Sequence, residues 1–190
     1  SPPNTMTPDR CSAPALIRLL ALAVALCGAA SAHADAYGDV NQLLKTGKGA
    51  DALQAANKYL AEKPKDPQMR FLKGVIQTQA GSTTEAIATF TALTQDYPEL
   101  PETYNNLAAL LASQNQLDKA RTALEMAIRI NPGYAIAHEN LGDIYARLAN
   151  QSYARAQQLE PGNAQLGPKM ALIRDVFNVG AKPAKPAAKK

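Results

Sequence analysis

The sequence predicts an all-α fold in which helix–turn–helix units stack into a solenoid. Ala accounts for 37 of the 190 residues and aromatic residues for only 5%, a composition that favours helices and excludes a β-sandwich or barrel. The chain is 46% hydrophobic at a net charge of +4, so it is able to bury a core and does not resemble a disordered polymer. Three columns of residues share a 34-residue period: Pro64, Pro98 and Pro132; Ala52, Ala86 and Ala120; Gly47, Gly81 and Asn115. Such a period is the signature of a repeat architecture.

Each column has a structural role within the predicted unit. The Gly or Asn of the third column tolerates a positive φ and ends the first helix. Five residues later, the Ala of the second column allows the second helix to approach the first closely. The Pro closes the second helix, because proline cannot continue a helix and restricts the residue before it. Each unit is therefore predicted to consist of a first helix, a turn and a second helix that ends before the proline.

The predicted units span residues 35–66, 67–100, 101–134 and, in shortened form, 135–161. The third unit has the clearest pattern, with apolar stripes at helical spacings of three and four on both of its helices. These stripes and the closing proline are Tyr104, Leu107, Ala108 and Leu111; Ala120, Leu124 and Ala127; and Pro132. With these eight residues at its signature positions the unit resembles a tetratricopeptide repeat, and the resemblance implies a right-handed α-solenoid.

The second and fourth units depart from this pattern. Three polar residues of the second unit replace expected apolar ones: Arg70, Lys73 and Gln77. We therefore expect the first helix of that unit to pack less conventionally. In the fourth unit Pro161 follows Pro132 by only 29 residues, and the missing residues are those of the turn. One continuous helix is predicted over about 136–159, with a tight turn near residues 150–151 as the alternative.

The C-terminal part of the chain is predicted to contain a capping helix and a tail. The cap, over 162–180, covers the open end of the stack, because a repeat unit buries its face only against a neighbour. Pro168 stands at its expected start, and its apolar residues are Met170, Ile173, Val176 and Phe177. Residues 181–190 read AKPAKPAAKK, a composition that predicts an extended, disordered tail. Residues 35–180 contain 14 basic and 15 acidic side chains, so the tail carries the excess positive charge.

Residues 1–34, including an N-terminal extension over 1–5, have the layout of a secretory signal peptide. Basic residues precede an apolar run of 14 residues, which is shorter than the roughly 20 residues of a transmembrane helix. Small residues at the −3 and −1 positions predict cleavage after Ala34 and a periplasmic or secreted protein. The competing interpretation is lipidation at Cys27, but Leu26 stands where a small residue is needed.

The sequence contains few candidate catalytic or metal-binding residues, and we predict a non-enzymatic protein without a cofactor or metal. Both cysteines, Cys11 and Cys27, lie in the predicted signal, so the processed chain has no thiol for a disulfide or a metal site. His138 falls at a helix-packing position and is predicted to be a core or half-buried residue. Glu139 and Asp143 share a helix face, but such surface carboxylates are usually solvated. The near-neutral repeat region, which lacks a basic face with aromatic residues, argues against nucleic-acid binding.

The resemblance implies a concave groove lined by the first helix of each unit. Carried over from the family, the groove positions are Tyr37, Asn41, Phe71, Val75, Asn105, Glu139, Asp143 and Arg147. They run from apolar residues to acidic ones, with Arg147 as the nearby cation. The family's clamp for C-terminal carboxylates needs a Lys that these positions lack, so the family's ligand class does not transfer. Phe71 has two interpretations: an exposed aromatic of an interaction surface, or a side chain that packs inward to compensate for Arg70 and Lys73.

These observations predict an interaction scaffold, exported to the periplasm, that binds a partner helix or extended peptide along its groove. The alternative is a protein that associates with the cell envelope through the basic tail, whose lysines are Lys182, Lys185, Lys189 and Lys190. Each lysine near anionic lipid contributes about 1 kcal/mol, which corresponds to a weak contact with an anionic membrane or cell-wall surface. Tails of this kind are more often solvated linker ends.

Overall fold

The computed structural model describes residues 36–178, which fold into eight α-helices with no β-strand among them. In chain order the helices are α1 (36–45), α2 (Gly49–Glu62), α3 (Pro67–Gln79), α4 (Thr83–Asp96), α5 (Pro101–Ser113), α6 (Leu117–Ile130), α7 (Ala135–Leu159) and α8 (Leu166–Asn178). The predicted all-α fold is confirmed. The predicted signal peptide and the lysine tail lie outside the described residues. None of the described helices is both long enough and apolar enough to cross a membrane.

The chain divides into two compact units, the first of which ends at Pro64. In this first unit α1 and α2 form a helical hairpin. Its buried residues are Val40, Ala52 and Ala56. The Tyr37 and Tyr59 rings pack with their centroids 5.6 Å apart, and their hydroxyl oxygens are separated by 3.2 Å. Small alanines and one aromatic pair thus hold the two helices together.

In the second unit each helix from α3 to α8 contacts the next helix along the chain, and α5 also contacts α7. This succession of neighbours is the arrangement expected of a solenoid. Buried apolar side chains of four successive helices, α4 to α7, form its core, and the largest are Phe90, Leu107, Leu110, Leu111, Leu117, Leu124 and Ile144. The predicted stripes of the third unit belong to this core, since Leu111, Ala120 and Leu124 are all buried.

The turn column, which consists of Gly47, Gly81 and Asn115, has the positive φ angles that its residue types predict. Gly47 and Gly81 both have a φ of 74°, and Asn115 has a φ of 57°. A glycine has no Cβ to clash in this left-handed conformation, and Asn is the residue that tolerates it best after glycine. The turns between the paired helices are therefore encoded locally.

Prolines mark where the helices begin and end. The helices α2, α4 and α6 each end two residues before a proline of the 34-residue column. Prolines also occupy the first positions of α3 and α5, where the missing N–H removes no intrahelical hydrogen bond. Asp66 caps α3, because its carboxylate accepts a hydrogen bond from the Met69 backbone N–H at 2.8 Å.

Two of the three polar residues that replace apolar ones in α3, Arg70 and Gln77, bond to side chains of α4. The Arg70 guanidinium lies 2.6 Å from the Asp96 carboxylate. The Thr89 hydroxyl donates to the side-chain oxygen of the buried Gln77 at 2.7 Å. The helix pair accordingly packs through polar contacts at positions where the third unit has apolar ones, as the sequence predicts.

The shortened fourth unit contains a single helix, α7, of 25 residues. This confirms the predicted continuous helix and excludes the alternative turn near residues 150–151. Because no return helix follows, one face of α7 is left uncovered, and Tyr145 and Leu159 are 49% and 69% exposed. A Cβ placed on Gly142 would meet no atom within 4 Å, whereas the equivalent Gly74 of α3 lies directly beneath a ring from α4.

The prediction for His138 is wrong. Its side chain is exposed, and its Nε2 atom lies 2.9 Å from the Pro132 carbonyl oxygen. At the equivalent position of the second unit, Arg70 is half-buried and contacts Asp96 of the second helix of that unit. The fourth unit has no second helix, so His138 lacks such a contact.

The capping helix α8 differs from its prediction in two details. It begins at Leu166, which is buried, two residues before the expected start at Pro168. It packs on α7, but Val176 and Phe177 remain 54% and 47% exposed. Its inner residues lie beside Arg147 of α7, so the helix does not replace the missing return helix and covers the end of the stack only in part.

Candidate functional site

The inner faces of α3, α5 and α7 form the candidate site, and we call their shared surface the groove. Its residues are Phe71, Val75, Asn105, Glu139, Asp143 and Arg147. The first, third and fourth of these recur every 34 residues, so that equivalent turns of successive inner helices carry them. Three cavities open along this part of the second unit.

The first cavity, which we call the Phe71 cavity, has a volume of about 240 Å³ and lies between the beginnings of α3 and α5. It is lined by Pro67, Gln68, Phe71, Leu100, Glu102 and Thr103. Phe71 is half-buried, and its ring meets the Phe90 ring edge to face with the centroids 5.6 Å apart. The Phe71 ring therefore contacts the core and also lines an apolar opening.

Polar groups surround the Phe71 cavity. The Thr103 hydroxyl is buried and has no hydrogen-bond partner among the described residues. Glu102 is exposed at the cavity edge. Burial and, secondly, the Glu102 carboxylate raise the pKa of the Tyr134 hydroxyl. The cavity therefore combines an apolar interior with a negative charge at its edge.

Two hydrogen bonds join α5 to α7 in the middle of the groove. The Asn140 amide donates to the Asn105 side-chain oxygen at 2.8 Å, and the Arg147 guanidinium donates to the Ala112 carbonyl oxygen at 3.0 Å. Between the two helices lies a second cavity, of about 470 Å³, which we call the α5–α7 cavity. Asp143 lines it opposite the small side chains of α5. Asn140 and Arg147, which make the two hydrogen bonds, both line this cavity.

A third cavity, the α7–α8 cavity, has a volume of about 590 Å³ and lies between α7, α8 and the turn that joins α5 to α6. Its polar lining comes from Arg147, Arg174, Asn115, Asn150, Gln151 and Gln157. Arg147 and Phe177 line both this cavity and the α5–α7 cavity. The two cavities therefore adjoin at these residues.

The remaining predicted groove residues have separate surroundings. Val75 is half-buried against the core of the second unit, and Glu139 is exposed on α7. Tyr37 and Asn41 belong to the first unit, where the Asn41 amide donates to the Tyr37 carbonyl oxygen at 2.8 Å and Tyr37 packs on α2. The four predicted tail lysines lie outside the described residues.

The chemistry of the groove suits recognition of a polypeptide. Aromatic rings, arginine and hydrogen-bonding groups such as amides are common in protein interfaces. Within residues 36–178, no three His, Cys, Asp or Glu side chains gather closely enough to hold a metal ion.

Two family models match the chain. One, described as a tetratricopeptide repeat, matches residues 37–101, and the other, described as a TPR repeat, matches residues 110–148. Together they cover more than half of the chain and include both glycines and the asparagine of the turn column. The chain belongs to the tetratricopeptide-repeat family. The resemblance found in the third unit is thereby confirmed.

Two curated relatives share this repeat. The chain is 31% identical over 85 residues to the chloroplastic tetratricopeptide repeat domain-containing protein PYG7 of Arabidopsis thaliana. It is 32% identical over 119 residues to the TPR repeat-containing thioredoxin TTL4 of the same plant. The matches cover 42% and 63% of this chain but only 28% and 17% of the relatives, so the chain spans less than a third of either protein.

Solved tetratricopeptide-repeat structures share the fold. The first TPR of Spaghetti (RPAP3) bound to the HSP90 peptide SRMEEVD superposes with a TM-score of 0.57 at 18% identity, covering 59% of this chain and 89% of that one. The Yersinia enterocolitica type III secretion chaperone SycD, in complex with a peptide of the translocator YopD, gives 0.57 at 15% identity, covering 62% and 95%. At these identities the likeness establishes the fold alone.

Three residues that line the cavities along this tetratricopeptide-repeat groove are not predicted from repeat positions. Asn140 lies one residue beyond a groove position, and its signal is a second Asn, Asn105, at a distance of 35 residues. Arg174 and Phe177 lie on α8, which has no counterpart within a repeat unit. The repeat positions therefore identify the inner helices of the groove. They do not identify the residues that α8, which is not part of a repeat, contributes next to those helices.

Proposed function

We propose that this tetratricopeptide-repeat protein is an exported, non-enzymatic interaction module whose groove binds an extended segment or helix of a partner protein. The observation that supports this best is the Phe71 cavity, in which an aromatic ring braced by Phe90 lines an apolar opening between two inner helices. Two proteins of the same fold have peptides bound in their structures. They support a peptide as the class of ligand, and the partner's identity is a separate question.

In the proposed complex an apolar side chain of the partner enters the Phe71 cavity. Such a buried anchor contributes a large part of the binding energy in protein interfaces. The exposed carboxylate of Glu102 at the edge favours a donor or cation next to the anchor residue. The partner backbone then runs along α5 and α7, where the amides of Asn105 and Asn140 lie.

Replacing Phe71 with Ala is expected to abolish partner capture and to lower the free energy of unfolding by about 2–3 kcal/mol, because the burial of half of the ring and its aromatic contact with Phe90 are both lost. Partner capture is measured by quantitative mass spectrometry of envelope-fraction proteins retained by the immobilised protein. Gln68→Arg, at an exposed position on the cavity edge, should block capture without any loss of stability.

The matched control is Tyr145→Ala. Tyr145 is also a half-exposed aromatic residue, yet it lies on the uncovered face of α7 and lines none of the three cavities. The same partner proteins should be retained by this variant and by the unchanged protein. Equal capture by the Phe71→Ala, Gln68→Arg and unchanged proteins would refute the proposed binding site.

Export is the second part of the proposal, and it rests on the signal-like segment over residues 1–34. In a Gram-negative host the protein is expected in the periplasmic extract with Asp35 as its N-terminal residue, measured by intact mass. Replacing Ala32 and Ala34 by Leu should block processing, since signal peptidase requires small residues at these positions. A full-length chain confined to the cytoplasmic fraction would contradict the export proposal.

A further inference from the structure

We propose that two copies of this chain pair through the uncovered face of α7, so that the second half of each α7 packs on the first half of the other. Each copy thereby supplies the return helix that the fourth unit of the other copy lacks. The paired face lies apart from the three cavities of the groove, and the proposal does not depend on which partner the groove binds.

The fourth unit keeps the residues of a second helix but lacks the turn before it. Tyr153 stands eight residues before the closing proline, as Leu124 does in the third unit. Ala149 stands 34 residues after Asn115, at the point where a Gly or Asn turns the chain in the other units. Alanine favours a helix there, and α7 continues through it. The second-helix residues are therefore present, but they cannot fold back on the first half of their own helix.

A glycine and an aromatic ring form the contact between the two helices of the second unit. A Cβ added to Gly74 would lie 2.6 Å from the Phe90 ring, which packs directly over the glycine. The fourth unit repeats this pair as Gly142 and Tyr153, at the same distances from the start of the unit and from its closing proline. Nothing lies within 4 Å of a Cβ added to Gly142, so the glycine offers space for a ring that the described residues do not supply.

Gly142 and Tyr153 cannot meet within one chain. They lie 11 residues apart on one continuous helix, which separates them by about 16 Å along its axis. Eleven residues are also about three helical turns, so both positions lie on the same side of α7. A second α7 packed antiparallel on that side places Tyr153 of each copy over Gly142 of the other. The two-fold symmetry of such a pair makes both contacts at once.

The rest of this side of α7 suits contact with an identical copy. Tyr145, Ala149 and Ala156 lie on it at helical spacings, and none of them is charged. A surface that meets its own copy opposes like charges, so an uncharged face avoids this repulsion. The Lys169 ammonium lies 5.4 Å from the centroid of the half-buried Tyr153 ring. Because a lysine side chain is long and flexible, this contact can adjust when the ring packs on the second copy.

The test is sedimentation velocity of the purified protein from about 5 to 500 μM, a range that covers weak and moderate association. The unchanged protein is expected to shift from the mass of one chain to that of two. Gly142→Glu should keep the mass of one chain throughout, because it places a carboxylate in the contact. This variant remains folded, since the position is open and Glu favours a helix more than Gly does. Urea unfolding at about 1 μM measures the single chain, below the range of association.

The matched control is Gln158→Glu. Gln158 is exposed and lies 16 residues beyond Gly142, about four and a half turns, so the same charge is added on the opposite side of α7. This variant should associate like the unchanged protein. A one-chain mass of the unchanged protein at every concentration, or equal association of Gly142→Glu, would overturn the proposal. Loss of association in both variants would point to a general charge effect and refute it as well.

The direction of the pairing is measured by electron–electron resonance with a nitroxide on Leu159→Cys, in a chain whose Cys11 and Cys27 are replaced by serine. Leu159 is 69% exposed at the end of α7. In the antiparallel pair each label stands about 11 residues from the two-fold axis, so the two labels lie about 35 Å apart. A parallel pair brings them within about 15 Å, and that distance would refute the exchange of second halves.

Discussion

Replacing Ala120 with Glu should lower the free energy of unfolding by about 2–5 kcal/mol. Ala120 is fully buried in α6, at the position where the second helix of the unit meets the first. A Glu side chain is several atoms larger and brings a carboxylate into an apolar core that includes Leu107 and Leu124. Because that carboxylate has no partner there, the helix pair must either separate or hold the group protonated.

The measurement is urea unfolding followed by circular dichroism, and the matched control is Ala88→Glu. Ala88 is an alanine of α4 that is exposed, so the same chemical change there should alter stability by no more than about 0.5 kcal/mol. If Ala120→Glu unfolds at the same urea concentration as the unchanged protein, the helix register of the third unit is wrong.

The features that repeat are the ones that the sequence predicts well. Gly81 and Asn115 occupy the same position in two equivalent turns, because both residue types tolerate a positive φ. This requirement concerns the backbone of a single residue and can therefore be recognised in the sequence. The single helix α7 follows in the same way from the absence of any Gly or Pro between Gly142 and Pro161. Local backbone preferences repeated at a fixed period thus determine the helix order and the inner faces.

The features that do not repeat depend on packing between distant residues. Whether Phe71 lies in the core or in a groove depends on how much space Phe90 leaves beside it, and no spacing reveals this. Arg174 and Arg147 line one cavity although they belong to different helices, α8 and α7. The repeat pattern ends before α8, so the sequence predicts only a simple cap there.

Gly74 and Gly142 occupy the same position of two units, and alanine at the two sites is expected to have opposite effects. At Gly74 a Cβ would lie 2.6 Å from Cζ of the Phe90 ring, which is fully buried and cannot move aside. Overpacking of this kind costs about 1–3 kcal/mol, against a gain of about 1 kcal/mol when Ala replaces Gly inside a helix. Gly74→Ala should therefore destabilise the second unit.

At Gly142 the same substitution should stabilise the protein by about 1 kcal/mol, since the new methyl group meets no atom within 4 Å and only the helix preference remains. The difference between the unfolding free energies of the Gly74→Ala and Gly142→Ala variants, measured in urea, thus reports the contact that a second helix of the unit makes with this position. Equal effects at both sites would mean that Phe90 does not lie against Gly74. A destabilising Gly142→Ala would mean that another helix covers α7 in solution. The sign of this one substitution therefore reports whether the fourth unit is open, as its missing turn residues require.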